Sequence, residues 1–340
     1  MSIFTRLNPP VYQGTHKKTE YFEGWYFKMT TSRSSAAAHK EKQGDVLAVI
    51  PGISRGRDQS DSHAFIQVFS SRENRSWYIR YPADEFFADT RKFEIRIGNN
   101  HFNENGITLA INHETLVLKG TVMHGNFHPF PVTLAAPGIM GWYAYVPRME
   151  CFHGVVSLNH IISGTLALNG TIHDFSGGSG YCEKDWGSSF PSAYLWIQSN
   201  TFSNISGNTS CMVSVARIPF LGRTFTGFLG FVSSGETLYR FGTYTGASIR
   251  TLETTETTAF LRIRDTRHLY EFYAELGPTG HLAAPRQGSM DRTIFESLKG
   301  TINLTITRLK DQTVVLHDVG ALAGIELSEA HTLPIAQHQN

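Results

Sequence analysis

The sequence predicts an all-β protein of the sandwich or barrel kind. Short runs rich in β-branched and aromatic residues, each bounded by turn residues, follow one another from end to end, and no comparably persuasive helical period interrupts them. The chain also carries 31 glycines in 340 residues, a density that suits curved or closed sheets. At this length one hydrophobic core has usually stopped growing, so two packed units are expected. With 41% hydrophobic and 17% charged residues, the chain has the apolar material for a folded core and too little charge for disorder.

In chain order the first strands fall at residues 46–50, 63–69, 76–81, 93–97, 107–111 and 116–123. A second series falls at 194–199, 212–217, 226–232, 238–244, 259–264, 269–276 and 300–308. The stretch Leu116 to His124 is echoed by Leu166 to Asp174, and Leu298 to Ile302 repeats its centre. Each copy reads as a strand whose glycine marks a bulge or a close backbone approach. Two passages break the pattern. Residues 128–148 hold four prolines and several glycines and read as a long crossing loop. Phe175 to Pro191 reads as a second turn-rich passage. The expected division is therefore an N-terminal domain at 1–175, carrying the Pro/Gly-rich loop, and a C-terminal domain at 176–340. Residues 31–44 read as a polar, exposed hairpin loop.

Several function classes lose support. Lys and Arg number 30 against 29 Asp and Glu, with no block of like charge, so a nucleic-acid partner has no electrostatic footprint. No apolar run approaches the roughly 20 residues of a membrane helix, and no signal-peptide pattern opens the chain, so a soluble, cytoplasmic protein is expected. Cys151, Cys182 and Cys211 lack CxxC spacing. The sequons at Asn204, Asn208 and Asn303 carry no weight without export. Gly52-Ile-Ser54-Arg-Gly56 matches a nucleophile elbow, but a polar loop follows where a helix should begin, so it reads as a tight turn. His124 and His128 have helical metal spacing, which Gly125 and Pro129 defeat. No metal, nucleotide or other cofactor is expected.

The informative stretches combine acids with aromatics. Strand alternation in Tyr21-Phe-Glu-Gly-Trp-Tyr-Phe27 puts Tyr21, Glu23, Trp25 and Phe27 on one face, a carboxyl among three rings. Burial against rings raises a carboxyl pKa and makes a general acid; pairing with an arginine at a sheet edge is the competing role. In Tyr181-Cys-Glu-Lys-Asp-Trp186, Glu183 and Asp185 share a face if the segment is extended, and Lys184 points away. The strand after Pro191 sends Tyr194, Trp196, Gln198 and Asn200 to one side, rings mixed with amides as in a pocket wall. Met149-Glu-Cys-Phe-His153 offers Glu150 and His153 as an acid/base pair.

At these stretches the sequence resembles the tocopherol cyclase family. The family's first signature is met by Tyr21 to Phe27. Its second is met by Glu183-Lys-Asp-Trp-Gly187, Phe190-Pro191 and Trp196-Ile-Gln198, with further likeness at Pro147 to Glu150 and Ala284-Pro285. The plant members carry a plastid-targeting region and a longer middle section absent here, and their usual Asn is Asp185 in this chain. The resemblance implies two lipocalin-like antiparallel β-barrel or half-barrel domains packed together, related to the carotenoid hydratase architecture. It also implies cofactor-free closure of a chroman ring on a prenylated quinol.

On that basis Glu183, Asp185 and Glu23 are the expected catalytic acids. Tyr21, Trp25, Phe27, Glu150, His153, Trp186, Tyr194, Trp196 and Gln198 are the expected substrate-binding residues. Trp25, Trp186 and Trp196 would stabilise the carbocation formed when an alkene is protonated. The expected partner is a small apolar prenylated or terpenoid molecule, and its uptake leaves room for peripheral contact with a membrane. A non-catalytic carrier of an apolar lipid or quinone, and a hydratase of an isoprenoid alkene, are the alternatives.

Overall fold

β-branched and aromatic residues alternating with polar ones cannot bury one face alone, so strands of this kind assemble into sheets that close around a core. The computed structural model describes residues 3–32, 44–147, 149–203, 208–220 and 222–334. Most of the polar stretch expected as a loop at 31–44, and the sequon at Asn204, lie outside them. One four-residue helix, α1 (Ile3–Arg6), precedes the strands. Among the described residues no helix is long and apolar enough to cross a membrane.

The first sheet is built from β1 (Tyr21–Thr30), β2 (Val46–Arg55), β3 (His63–Ser70), β4 (Arg75–Pro82), β5 (Phe86–Ala88), β6 (Glu94–Ile97), β7 (Asn100–Asn103), β8 (Gly106–His113), β9 (Leu116–His124), β10 (Cys151–Leu168), β11 (Thr171–Asp174) and β12 (Gly178–Gly187). The second holds β13 (Tyr194–Ser199), β14 (Ser210–Phe220), β15 (Arg223–Ser234), β16 (Thr237–Gly242), β17 (Ser248–Thr254), β18 (Thr258–Arg264), β19 (His268–Glu275), β20 (Thr279–Arg286), β21 (Ser289–Arg308) and β22 (Thr313–Ser328).

Both sheets are antiparallel and follow one plan. The first runs β4-β3-β2-β1-β12-β10-β9-β8-β7-β6-β5, with β11 on β10; the second runs β16-β15-β14-β13-β22-β21-β19-β18-β17, with β20 on β21. In each, the two edge strands are consecutive in sequence and joined by a short 3₁₀ turn, at Ala83–Glu85 and at Thr243–Thr245. The turn returns the chain to the far edge. In the first unit Asn100 Nδ2 reaches Tyr81 OH at 3.3 Å across that junction. In the second, the Phe241 ring lies 4.6 Å from Tyr270. Each sheet encloses its own core: Trp25, Phe27, Val49, Ile66, Phe102, Leu118 and Trp186 in the first, and Leu195, Val213, Phe241, Leu261, Phe272, Leu304 and Ile325 in the second. The protein is thus all-β, with two lipocalin-like antiparallel barrel units.

The compact units are Met1–Phe190 with His281–Thr293, and Pro191–Gly280 with Ile294–Asn340. The seam expected at 175/176 lies instead at 190/191. The turn-rich passage from Phe175 is in fact led by a central strand, β12, hydrogen-bonded to β1 on one side and β10 on the other. Its glycines mark close approach rather than turns. A Cβ on Gly178 would stand 1.9 Å from Thr30 O, and one on Gly180 would stand 2.2 Å from His160 Nε2. The tip of the β20–β21 hairpin belongs to the first unit, where Ala283 N donates to Gln67 Oε1 at 2.7 Å and Ser54 Oγ donates to Gly288 O at 2.7 Å.

Two other sequence expectations change. Gly52 and Ser54 lie inside β2 rather than in a turn, and Gly52 is required because a Cβ would meet Phe65 Cζ at 2.4 Å. The second echoed segment is a hairpin and not one strand, because Asn169 and Gly170, at φ +47° and +87°, turn β10 into β11. The His160 ring is held by Ser157 Oγ at 3.0 Å and packed by Phe127 at 4.5 Å, so it cannot swing away from a side chain at Gly180. Gly180→Ala should cost about 1–3 kcal/mol in urea denaturation. In a double-mutant cycle with His160→Ala most of that penalty should disappear.

Candidate active site

Adjacent strands of period two sort their side chains onto opposite faces, and the β1–β12–β10 junction does this to the three acids expected to be catalytic, Glu23, Glu183 and Asp185. With Trp25 opposite Lys184 and Phe27 opposite Cys182, the core-facing side of the junction carries Tyr21, Glu23, Trp25, Phe27, Cys182, Lys184 and Trp186. The other side carries Tyr26, Tyr181, Glu183 and Asp185. It is completed by His153, the Cα partner of Asp185, and Val155, the partner of Glu183.

On the core side Glu23 and Lys184 form a fully buried ion pair, Nζ to Oε1 at 2.6 Å. The carboxylate also accepts Gln13 N at 2.9 and 3.1 Å and the Tyr21 hydroxyl. Lys184 Nζ donates to Pro9 O at 3.0 Å and Val11 O at 2.5 Å, and lies 4.7 and 4.8 Å from the rings of Trp25 and Trp186. Trp25 Nε1 donates to Pro10 O at 2.8 Å. Burial pushes the Glu23 carboxyl up and the Lys184 ammonium down to about 8, and their mutual attraction opposes both shifts. Both charged groups are thus fully engaged within the protein. Glu23, expected as an acid, clamps residues 9–13 to the sheet. Trp25 and Trp186, expected to face a substrate cation, hold the Lys184 cation instead.

The other side offers reactive chemistry. His153 Nδ1 stands 2.9 Å from Asp185 Oδ1, and Nε2 stands 3.5 Å from Glu183 Oε2. Tyr181 OH donates to Glu183 Oε2 at 2.5 Å, and Cys151 Sγ donates to Asp185 Oδ1 at 3.8 Å. Burial alone would push the imidazole down. The charges of Asp185 and Glu183, with the Asp185 hydrogen bond, outweigh it and hold His153 up at about 9. Burial and the nearby acids push the Tyr181 hydroxyl and the Cys151 thiol up. At neutral pH the cluster therefore stores a proton on His153. Asp185, with a side chain 23% exposed against 5% for Glu183, is its open carboxylate. Gly24, the Cα partner of Asp185, puts no side chain beside it. Among the described residues this trio is also the group whose ligand atoms converge enough to hold a metal ion, within 4.8 Å. An ion there would have to displace the stored proton.

The remaining expected residues are dispersed. Glu150 precedes β10 and faces the charge of Arg292, so it is not paired with His153; burial raises its carboxyl. Phe27 is a core ring, 6.0 Å from Phe93 and 5.9 Å from His124. Tyr194, Trp196 and Gln198 belong to the second unit and share one buried strand face, Leu195 and Ile197 facing its core. There Tyr194 OH donates to Glu326 Oε2 at 2.5 Å, and Glu296 is the Cα partner of Glu326. Sequence reasoning passed over Tyr181, Cys151, Gln13, Glu296 and Glu326. Of these only Tyr181 carried a signal, by lying two residues from Glu183.

A family model described as tocopherol cyclase-like matches residues 131–328, a span that contains His153, Glu183 and Asp185. The chain belongs to the tocopherol cyclase-like family. A probable chloroplastic tocopherol cyclase of Oryza sativa subsp. japonica is 29% identical over 118 residues, 34% of this chain and 25% of that protein. The chloroplastic tocopherol cyclase of Zea mays is 33% identical over 70 residues, 21% of this chain and 15% of that protein. The chain thus matches a quarter or less of the length of these relatives. Two solved structures share the fold of this tocopherol cyclase-like chain. CghA has a TM-score of 0.55 at 10% identity, covering 95% of this chain and 90% of that one. A putative AttH from Nitrosomonas europaea has a TM-score of 0.52 at 10% identity, covering 90% and 92%.

Two outcomes test the two faces separately. Lys184→Met leaves a buried carboxylate, and should cost about 3 kcal/mol or more in urea denaturation and speed amide exchange at residues 11–13. His153 has an ordinary value of 6.5 and a folded value of about 9. Because the folded value is raised, its stabilisation is complete below pH 6.5 and is lost as pH rises through 9. Wild type should therefore lose on the order of 3 kcal/mol relative to His153→Gln between pH 6 and pH 10.

Proposed function

We propose that this protein is a cofactor-independent acid catalyst of the cyclase type. In this reading it protonates an alkene of a prenylated quinol or terpenoid and closes an oxygen heterocycle such as a chroman. The observation that carries it is the His153 imidazole set between the Asp185 and Glu183 carboxylates, in a chain of the tocopherol cyclase-like family.

Protonating a trisubstituted alkene needs an acid kept from water and a carboxyl to present the proton. The His153 imidazolium supplies the proton along its hydrogen bond to Asp185, and Asp185, the more exposed acid, presents it to the alkene. The new C–H bond leaves a tertiary cation on the substrate. The substrate's phenol oxygen closes on that cation. The proton released from the oxygen returns to the carboxylate cluster and recharges His153, so protons and electrons balance over the cycle. Tyr181 donates to Glu183 and orients its carboxyl beside His153. This account uses the first unit alone and leaves Glu23 to hold the fold.

The test is turnover of a prenylhydroquinone, with product and ligand uptake measured separately. Asp185→Asn, Glu183→Gln and His153→Gln should each lower the rate about a hundredfold or more while leaving uptake within a few-fold of wild type. The wild-type rate should decline as pH rises through 9, following His153. Normal turnover in all three variants overturns the assignment, and substrate recovered unchanged from active-site-intact protein points to a carrier. Heavy oxygen from solvent appearing in the product means that water, and not the phenol, traps the cation.

A further inference from the structure

A glycine inside a strand weakens it, so it persists where the backbone conformation, a close neighbour or a ligand leaves no room for a side chain. Close neighbours explain Gly52, Gly178 and Gly180, where a Cβ would collide with the Phe65 ring, Thr30 O and the His160 ring. They do not explain Gly24. Its φ lies outside the left-handed region, and a Cβ would meet Ile50 Cγ2 and Phe65 Cζ at 3.7 Å and Pro51 O at 3.8 Å, which are ordinary van der Waals contacts. The first unit would accept a side chain there.

Gly24 stands in one row across the sheet. Successive Cα partners from β10 to β3 are His153, Asp185, Gly24, Gly52 and Phe65. The row runs from the imidazole and the open carboxylate, over a position with no side chain, to an aromatic ring that lies over Gly52 and ends beside Gly24. Tyr78 stacks on that ring at 5.2 Å and donates its hydroxyl to His63 Nε2 at 2.7 Å, so the wall presents carbon.

Exposure picks out the same place. Gly24 is the one residue of β1 that is not buried, and its neighbours Ile50, Asp185 and His153 are partly exposed as well. Next to the Asp185 carboxylate the first unit therefore has a notch with apolar sides, bounded by Phe65 and Ile50. Neighbouring strands are about 4.8 Å apart, and a hydrocarbon chain in contact with its surroundings takes roughly 4 Å. The notch admits one chain and no fused ring system.

We infer that Gly24 determines the specificity of the site: the missing side chain leaves room for an acyclic, isoprenoid-like chain, which lies against Phe65 and Ile50 with its double bond at Asp185. What becomes of the double bond rests on the acid catalysis proposed above; where the chain lies does not. With carbon on its walls the notch selects by shape and burial, and a change of one methyl in such a place is worth about tenfold or more.

The test uses two prenylhydroquinones, one with its alkene and one with a saturated chain that cannot be protonated, and a hydroquinone carrying a fused bicyclic group. Gly24→Ala should weaken binding of the saturated probe about tenfold, and Gly24→Val more. With the alkene, Gly24→Ala should raise KM more than it lowers kcat. Its melting temperature, and the loss of stability through pH 9 that reports His153, should stay close to wild type, which shows a folded chain with the acid cluster intact. Loss of binding in the variants upholds the notch even where wild type turns nothing over, a result that removes the acid catalysis alone. Unchanged binding in both variants overturns the notch even where wild type is active, as does failure of wild type to bind the saturated probe. Equal binding of the bicyclic probe overturns the assignment to an acyclic chain.

Discussion

The structure of the first unit depends on one buried ion pair. Glu23 and Lys184 sit on adjacent central strands with no exposure to solvent, a placement whose desolvation cost is recovered only if every remaining donor and acceptor is used. Here they are. Lys184 spends its protons on Glu23, Pro9 O and Val11 O, with a tryptophan ring to each side, and Glu23 takes the Tyr21 hydroxyl and Gln13 N. The pair therefore does three things at once. It fixes the register of β1 against β12, it plugs the core with two indoles, and it anchors the chain N-terminal to β1.

That register decides what happens on the opposite face. Because β1 and β12 pair with Trp25 opposite Lys184, alternation must place Glu183 and Asp185 on the other side, beside His153 of β10. A slip of one residue in β12 would carry Lys184 away from Glu23 and turn Glu183 and Asp185 into the core. The two signatures of the sequence are thus the two halves of one register, and Glu23, one of the three acids expected to be catalytic, is the one that holds the sheet.

Much of this was legible in advance. The alternation through Tyr21–Phe27, Glu183–Asp185 and Tyr194–Gln198 follows from period two alone and needs no tertiary information. The identity of the clamp was not legible, because the partner of Glu23 lies 161 positions away in a glycine-rich passage that reads as turns. Gly178 and Gly180 are there to admit Thr30 O and the His160 ring, and neighbours of that kind cannot be inferred from the local sequence. The same holds for Gln13 and the carbonyls of Pro9 and Val11, which become ligands only after the segment docks. The tip at 281–293 joins the first unit by contacts more than 200 positions long, beyond any local pattern.

The second unit shows which part of the site belongs to topology and which to the residues. Its strands follow the same order, so β13, β22 and β21 stand to each other as β1, β12 and β10 do. At the corresponding corner Glu326 lies opposite Trp196 and Glu296, and Tyr194 donates to Glu326 as Tyr181 does to Glu183. Among the described residues a buried carboxylate with a tyrosine donor recurs there and a histidine does not. Topology repeats the corner, but among the described residues it is the first unit that places an imidazole across from the acid, where it can carry a proton at neutral pH between two carboxylates. The strand order makes the place, and His153 makes the chemistry.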